Sequence, residues 1–316
     1  MIWVAVDAMG GDFAPRHVVD GALAAARDFD LGVALVGPAG VIDAELRRSG
    51  PINAAHVRIV DAPDVIQMDE SPSAALRRKP GASIQVAATL VARGDAAALF
   101  SAGHTGATVM AAHGVFGMLP GVDRPALAAT IPRPNHPAIL LDVGANVECR
   151  PAHLVQFAVM GSAYARVAFG IEAPRVGLLS IGEEATKGNE LTREAHRLLK
   201  ASPLSFIGNV EARHVYSGEA DVIVCDGFTG NVALKVSEGL VEVLADFLTD
   251  DFRRRVDYSE YGGAPLLGLA GIAIVGHGRS SAKAVRNGVA MAYRFAHQRL
   301  LDRVERDIAA AAVPHS

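Results

Sequence analysis

Five times along this chain a short apolar run ends in a turn carrying Gly, Asn, Thr or Asp and hands over to a pattern of helical period. The runs are Ile2–Asp7, Ala97–Ser101, Ala138–Leu141, Val176–Ser180 and Val222–Cys225. Their turns are Ala8-Met9-Gly10-Gly11-Asp12, Ala102-Gly103-His104-Thr105-Gly106, Asp142-Val143-Gly144-Ala145-Asn146, the stretch from Ile181 to Glu190, and Asp226-Gly227-Phe228-Thr229-Gly230-Asn231. Continuous apolar runs of this length, alternating with helical segments, are what a mainly parallel α/β sheet with crossover helices requires, because its strands are covered on both faces. Further strands are expected at Val33–Val36, Val57–Val60 and Phe206–Ile207. Helices are expected to begin near Pro15, Val41, Ser83, Gly106, Pro151, Asn189 and Asn231, with two more toward the C-terminus. No Pro/Gly/Ser linker divides the pattern, so residues 1–316 are expected to form a single α/β domain.

Composition excludes several classes. Half of the 316 residues are hydrophobic and 20% charged, which describes a folded chain with a sizeable core. A net charge of −4 argues against a nucleic-acid partner. Two distant cysteines, Cys149 and Cys225, make no disulfide framework and fit a reducing cytoplasm. No signal peptide is expected, and the longest apolar run, Pro265 to Val275, is shorter than the ~20 residues of a membrane span. No metal-ligand spacing, Walker A loop, dinucleotide fingerprint or nucleophile elbow occurs, so neither a metal nor a cofactor is expected.

In an open α/β sheet, ligands bind beyond the carboxyl ends of the strands. Any one glycine-rich strand-to-helix loop is more often a tight turn than a site. Five together, with Gly10 and Gly11 adjacent, point to backbone N–H groups gathered for phosphate or carboxylate. Lys187 stands inside one of these loops in a chain with only five lysines against twenty-five arginines. Its ammonium suits a small oxyanion or a developing negative charge, and equally well the neutralisation of Glu183 and Glu184. Lys235 reaches either strand ends or solvent. His104 is the histidine best placed for chemistry, although a loop histidine is more often a hydrogen-bonding strut than a base.

The stretches VDAMGGD, SAGHTGA, LDVGANVECRP, HLVQFAVMGS, GNVEARH, CDGFTGNVALK and YGGAPLLG resemble, in order from Val4 to about Gly278, the phosphate acyltransferases of bacterial phospholipid synthesis. The resemblance implies a three-layer αβα sandwich, related to the phosphotransacetylase and isocitrate/isopropylmalate dehydrogenase folds, working as a homodimer. It implies transfer of a fatty acyl group from acyl carrier protein to inorganic phosphate, giving acyl phosphate. Phosphate is then the nucleophile, so no serine or cysteine relay is needed. On this reading Lys187, supported by Asn189 or Asn231, stabilises the tetrahedral oxyanion, and His104 or Lys187 assists the leaving thiolate. Gly10, Gly11, Gly103, Thr105, Gly106, Asn146, Gly227, Thr229 and Gly230 contribute to phosphate or substrate binding, with Asp7, Asp12 and Asp226 orienting donors.

The acidic carrier protein calls for a basic patch, for which Arg77-Arg78-Lys79 and Arg253-Arg254-Arg255 are candidates. A membrane-bound glycerol-phosphate acyltransferase is the further partner implied, and a cytoplasmic protein peripheral to the inner membrane face the implied location. Between Asn231 and Tyr261 the chain is shorter than many relatives, which carry there a helical excursion implicated in dimer packing and membrane contact. The segment 233–263 is assigned to that face. Its stripe Leu240, Val243, Leu244, Phe247, Leu248 and Phe252 fits a core or second-subunit contact ahead of lipid. Rival functions are a phosphotransacetylase-like enzyme using acyl-CoA, a relative of the decarboxylating dehydrogenases, and a non-catalytic acyl- or carrier-protein-binding module.

Overall fold

The structure is a computed structural model that describes residues 1–51, 53–133, 136–244, 249 and 257–311. Its contacts gather into two compact units, Met1–Gly117 with Tyr258–Gln298 and Met118–Asp257 with Arg299–Ser316. No Pro/Gly/Ser linker marks the places, after Gly117, Asp257 and Gln298, where one unit gives way to the other.

In the first unit β1 (Ile2–Asp7), β2 (Leu31–Gly37), β3 (Val57–Asp61), β4 (Ala98–Ser101), β10 (Ala264–Leu267) and β11 (Ile272–Val275) lie in the order β3–β2–β1–β4–β11–β10. Every neighbouring pair is parallel except β10 with β11. Parallel strands need crossovers, supplied by α1 (Arg16–Asp28), α2 (Ala39–Arg48), α3 (Pro72–Arg78) and α4 (Ser83–Ala92), while α5 (Thr105–Phe116) and α9 (Ala282–His297) follow β4 and β11. All seven positions of β2 are buried, as a strand covered on both faces demands. Helix α1 turns Val18, Val19, Ala22, Ala25 and Ala26 inward at helical spacing and packs on α9. Phe100 on β4 is wholly enclosed, and burying such a side chain stabilises by about 1.5–3 kcal/mol. The longest apolar run of the sequence is an antiparallel pair, β10 and β11, broken at Gly268 with φ +90°.

The second unit orders β5 (Ala126–Ile131), β6 (Ala138–Leu141), β7 (Arg175–Ser180), β8 (Ser205–Glu211) and β9 (Val222–Val224) as β5–β6–β9–β7–β8. Here β5 is antiparallel to β6 and the other pairs are parallel. Around them pack α6 (Pro151–Phe169), α7 (Glu190–Ala201), α8 (Gly227–Leu244) and α10 (Leu300–Ala311). Helix α6 carries Leu154, Phe157, Ala158 and Tyr164 fully buried, with the Tyr164 hydroxyl 3.1 Å from Thr130 Oγ1. The fold is thus the mixed α/β sandwich with a mainly parallel sheet that the sequence implies.

The N-terminus of α6 gives a pH prediction. His153 is buried, and its Nδ1 accepts the Arg150 N–H at 3.1 Å, an orphan donor of the helix start. Burial lowers its pKa below the usual histidine value, against Asp123, whose carboxylate lies 4.0 Å away and pulls the other way. The unfolded chain therefore binds the proton first. Stability contributed here is complete above about pH 6.5 and falls as pH drops below it. His153→Asn, which keeps an acceptor without titrating, is expected to flatten the loss of unfolding midpoint between pH 7 and pH 5. An unchanged slope in urea titrations across that range would remove His153 as its source.

Candidate active site

Strands β1 and β4 are adjacent, so the loops that follow them leave the sheet side by side. They touch backbone to backbone. A Cβ on Gly10 would stand 2.7 Å from Gly103 N and 2.9 Å from Asp7 Oδ2, and Gly11 has φ +104°. The paired glycines are therefore required first by packing. Several backbone amides of these loops, three of them on glycines expected to face phosphate, are engaged within the chain. Gly10 N–H donates to Asp7 O (3.2 Å), Asp12 N–H to Gly278 O (2.8 Å), Gly103 N–H to Ser101 Oγ (3.1 Å) and Gly106 N–H to His104 Nδ1 (3.1 Å). Among the described residues, the N–H groups of Gly11 and Thr105 and the Thr105 hydroxyl have no such partner and are open donors in these loops.

Asp7 organises these loops from below. It is buried, accepts from Ser101 Oγ at 2.7 Å and from Met9 N–H at 3.3 Å, and is hydrogen-bonded by Ser83. Burial raises its pKa above the ordinary carboxylate value despite those three bonds. Asp7, Gly10, Ser83, Gly103 and His104 line one small cavity. His104 is the N-cap of α5, accepting through Nδ1. The neutral ring must then carry its proton on Nε2, which makes His104 a hydrogen-bond donor rather than a base.

In the second unit the centre is Asp142, which the sequence reading passed over. It is wholly buried at the end of β6. Its Oδ1 accepts from the N–H groups of Leu127 (3.0 Å), Gly144 (3.2 Å) and Ala145 (3.0 Å), and its Oδ2 from Asn146 N (2.7 Å) and Asn146 Nδ2 (2.8 Å). Burial raises its pKa, and these donors oppose the rise. Asn146 gives its other amide hydrogen to Pro125 O at 2.6 Å, so this side chain holds a loop together and has only an acceptor left, unsuited to an anion. Asp226 and Thr229 likewise satisfy each other: Asp226 Oδ1 takes the Thr229 N–H (2.9 Å) and Oδ2 the Thr229 hydroxyl (2.7 Å), capping α8. Gly227 N–H donates to Asn146 O at 2.7 Å, and Gly230 packs directly on the Asp142 backbone. Asn231 stands exposed beside Gly144. The two cysteines are not nucleophiles in this setting: burial pushes Cys149 up to about 11 and raises Cys225 well above its usual value.

Lys187 lies in the loop between β7 and α7. The loop is held by its backbone, with Lys187 N–H donating to Glu184 O at 3.0 Å and Arg193 Nη1 to Gly188 O at 2.7 Å. Asn189 is the N-cap of α7, its Oδ1 accepting from Thr192 N–H at 2.9 Å, so only its amide nitrogen is left for a substrate. Lys187 is exposed, and among the described residues its ammonium has no carboxylate within 4.0 Å. Glu183 instead stands 3.4 Å from His214 Nδ1. The neutralising role that the sequence left open is not the one this geometry adopts. Lys235, by contrast, is paired with Glu238 at 2.7 Å on the helix surface.

The carrier-protein candidates divide. Lys79 donates to Glu70 Oε2 (2.6 Å) and to Val65 O (2.7 Å), a strut within its own unit, and Arg78 lies 3.9 Å from Glu70. Arg77 has no ion pair among the described residues. Arg253, Arg254 and Arg255 lie outside the described residues, as do Phe247, Leu248 and Phe252 of the apolar stripe. Its described members face outward, Leu240 57% and Val243 75% exposed, so among the described residues they join no core.

Against known proteins, residues 2–256 and 243–303 match the family described as "Fatty acid synthesis protein". A protein of Nitratidesulfovibrio vulgaris named phosphate acyltransferase is 51% identical over 97% of this chain and 95% of its own length. One of the same name from Pelotomaculum thermopropionicum is 48% identical over 96% and 94%. The fold is similar to that of a phosphotransacetylase from Streptococcus pyogenes, with TM-score 0.70, 17% identity and 94% of each chain covered. It is also similar to isocitrate dehydrogenase from Methylococcus capsulatus, with TM-score 0.50, 12% identity and 97% and 88% covered. By full-length sequence similarity the chain belongs to the phosphate acyltransferases, enzymes that transfer acyl groups.

Proposed function

We propose that this chain transfers a fatty acyl group from acyl carrier protein to inorganic phosphate in phospholipid synthesis, and that Lys187 is the residue on which turnover most depends. The observation that carries the reading is the exposed Lys187 ammonium, held on a strand-end loop with no acidic partner among the described residues. A phosphate oxygen attacks the thioester carbonyl carbon. The new C–O bond forms, the tetrahedral intermediate collapses, and the C–S bond breaks with the electron pair leaving on sulfur. Lys187 stabilises the oxyanion, supported by the Asn189 amide or by Asn231. The thiolate takes its proton from water or Lys187. Within the first unit, His104, whose Nδ1 is engaged, is a candidate donor through Nε2–H, and the open donors at Gly11 and Thr105 are that unit's candidates for binding phosphate.

The exposed apolar face of α8 supports a homodimer contact there, with the inner face of the cytoplasmic membrane as the second occupant of the same surface. A membrane-bound glycerol-phosphate acyltransferase is the consumer proposed for the acyl phosphate.

The deciding experiment incubates the purified protein with long-chain acyl-carrier protein, with and without inorganic phosphate, and follows release of the carrier thiol. Release that requires phosphate and yields acyl phosphate is expected. Faster turnover of acyl-CoA would identify a phosphotransacetylase-like enzyme, and binding without release a non-catalytic module.

A further inference from the structure

Strand β8 contains an irregularity with a defined purpose. Pairing with β7 runs Val176↔Phe206 and then Gly177↔Gly208, so Ile207 is an extra residue, and Gly208 sits at φ +107°, a conformation that suits glycine. In a regular strand Phe206 and Asn209, three apart, would face opposite sides of the sheet. The bulge turns both toward α7, where both meet His196. Its ring lies edge-on to Phe206, centroids 5.1 Å apart, and its Nδ1 is 3.0 Å from Asn209 Oδ1.

Asn209 is 8% exposed, and its Nδ2 donates to Glu184 O at 2.8 Å. A backbone carbonyl only accepts, so the amide nitrogen must face Glu184. The amide oxygen must then face His196, and His196 Nδ1 must carry a proton. Each group fixes the next. The end of the chain is the same Glu184 carbonyl that accepts the Lys187 N–H.

We propose that Asn209 and His196 are positioning residues for Lys187, tethering the Glu184–Lys187 turn to the β8–α7 face so that the ammonium is presented in one place. The inference rests on the reading of Lys187 as the oxyanion partner. Glu184 O receives two donors, one from the loop itself and one from the sheet, and only the second ties the loop to the rigid part of the unit. Misplacement of a reacting group by about 1 Å is enough to lower turnover by ~100-fold.

The test uses the full-length protein and two readouts. Asn209→Asp keeps size and the acceptor for His196 but sets an oxygen against Glu184 O. It is expected to lower kcat by ~10–100-fold with KM for acyl-carrier protein changed less than ~3-fold. Tryptic nicking at the exposed Lys187–Gly188 bond is expected to speed up ~10-fold, because cleavage follows local opening. His196→Leu keeps bulk against Phe206 and loses the donor, whereas His196→Asn loses the ring and keeps a donor near the Nδ1 position. The tether requires the leucine variant to nick faster and turn over more slowly than the asparagine variant. The reverse order would assign His196 to packing and overturn the proposal. So would Asn209→Asp with wild-type nicking and kcat. Normal turnover by Lys187→Ala would instead remove the catalytic reading of Lys187, with the tether still judged by nicking alone.

Discussion

Lys187→Ala is expected to lower kcat by about 10²–10³-fold, the loss measured when one preorganised oxyanion donor is removed, equivalent to about 2.7–4 kcal/mol of transition-state stabilisation. KM should change little, because a contact made as charge develops on the carbonyl oxygen is absent from the ground state. The melting temperature should also hold. The side chain is exposed, it has no carboxylate partner among the described residues, and its loop is fastened through the backbone at Lys187 N and Gly188 O. Lys187→Arg tests the same point from the other side. It restores the charge but replaces a compact ammonium by a planar fork, so it should recover less than about a tenth of the lost rate. Turnover of the alanine variant within ~3-fold of wild type, under conditions where the transfer step limits, would move the oxyanion role away from Lys187.

The sequence was readable where periodicity and burial coincide. The limits of β1 and β6 follow directly from their apolar runs, since a strand covered on both faces has no polar interruption to blur its ends. Strand β8 was visible only as Phe206–Ile207, because Gly208 and Asn209 read as a break. Gly208 closes the bulge made by Ile207, and Asn209 is the side chain that the bulge aims. Strands β5, β10 and β11 were hidden for another reason. An alternation of apolar run and helix leads to parallel crossovers, and β5–β6 and β10–β11 are antiparallel pairs without a helix between them.

At the site, the strand ends were legible and the division of labour within them was not. Gly10, Gly103, Asn146, Asp226 and Thr229 all belong to loops with the chemistry of anion binding, yet each has a donor or acceptor engaged inside its own loop. Residue type reports how many hydrogen bonds a group can make. Only coordinates report how many are already made. Asp142 could have been found, since it stands at a strand end before a glycine turn as Asp7 does. His196 and Asn209 could not, because what connects them is a change of register within a strand.

Asp142→Asn should destabilise the second unit strongly, although it changes one atom. The carboxylate accepts three N–H groups on one oxygen and two on the other, all within 3.2 Å. An amide has one oxygen. In its better orientation the oxygen faces Leu127, Gly144 and Ala145, and its own NH2 then faces the two donors of Asn146, so neither is satisfied. A buried donor without an acceptor costs about 1–3 kcal/mol, which puts the loss near 2–6 kcal/mol. Asp142→Ala removes the clash of donors but leaves all five N–H groups bare, and should be at least as damaging. Either change releases the Val143–Asn146 loop, against which Gly227 and Asn231 are set, so activity and stability should fall together. That contrasts with Lys187→Ala, where only activity falls. Calorimetry on the two Asp142 variants distinguishes the cases. A shift of the first unfolding transition equivalent to less than about 1 kcal/mol would mean that the five donors find other acceptors, and that Asp142 is not what holds the loop.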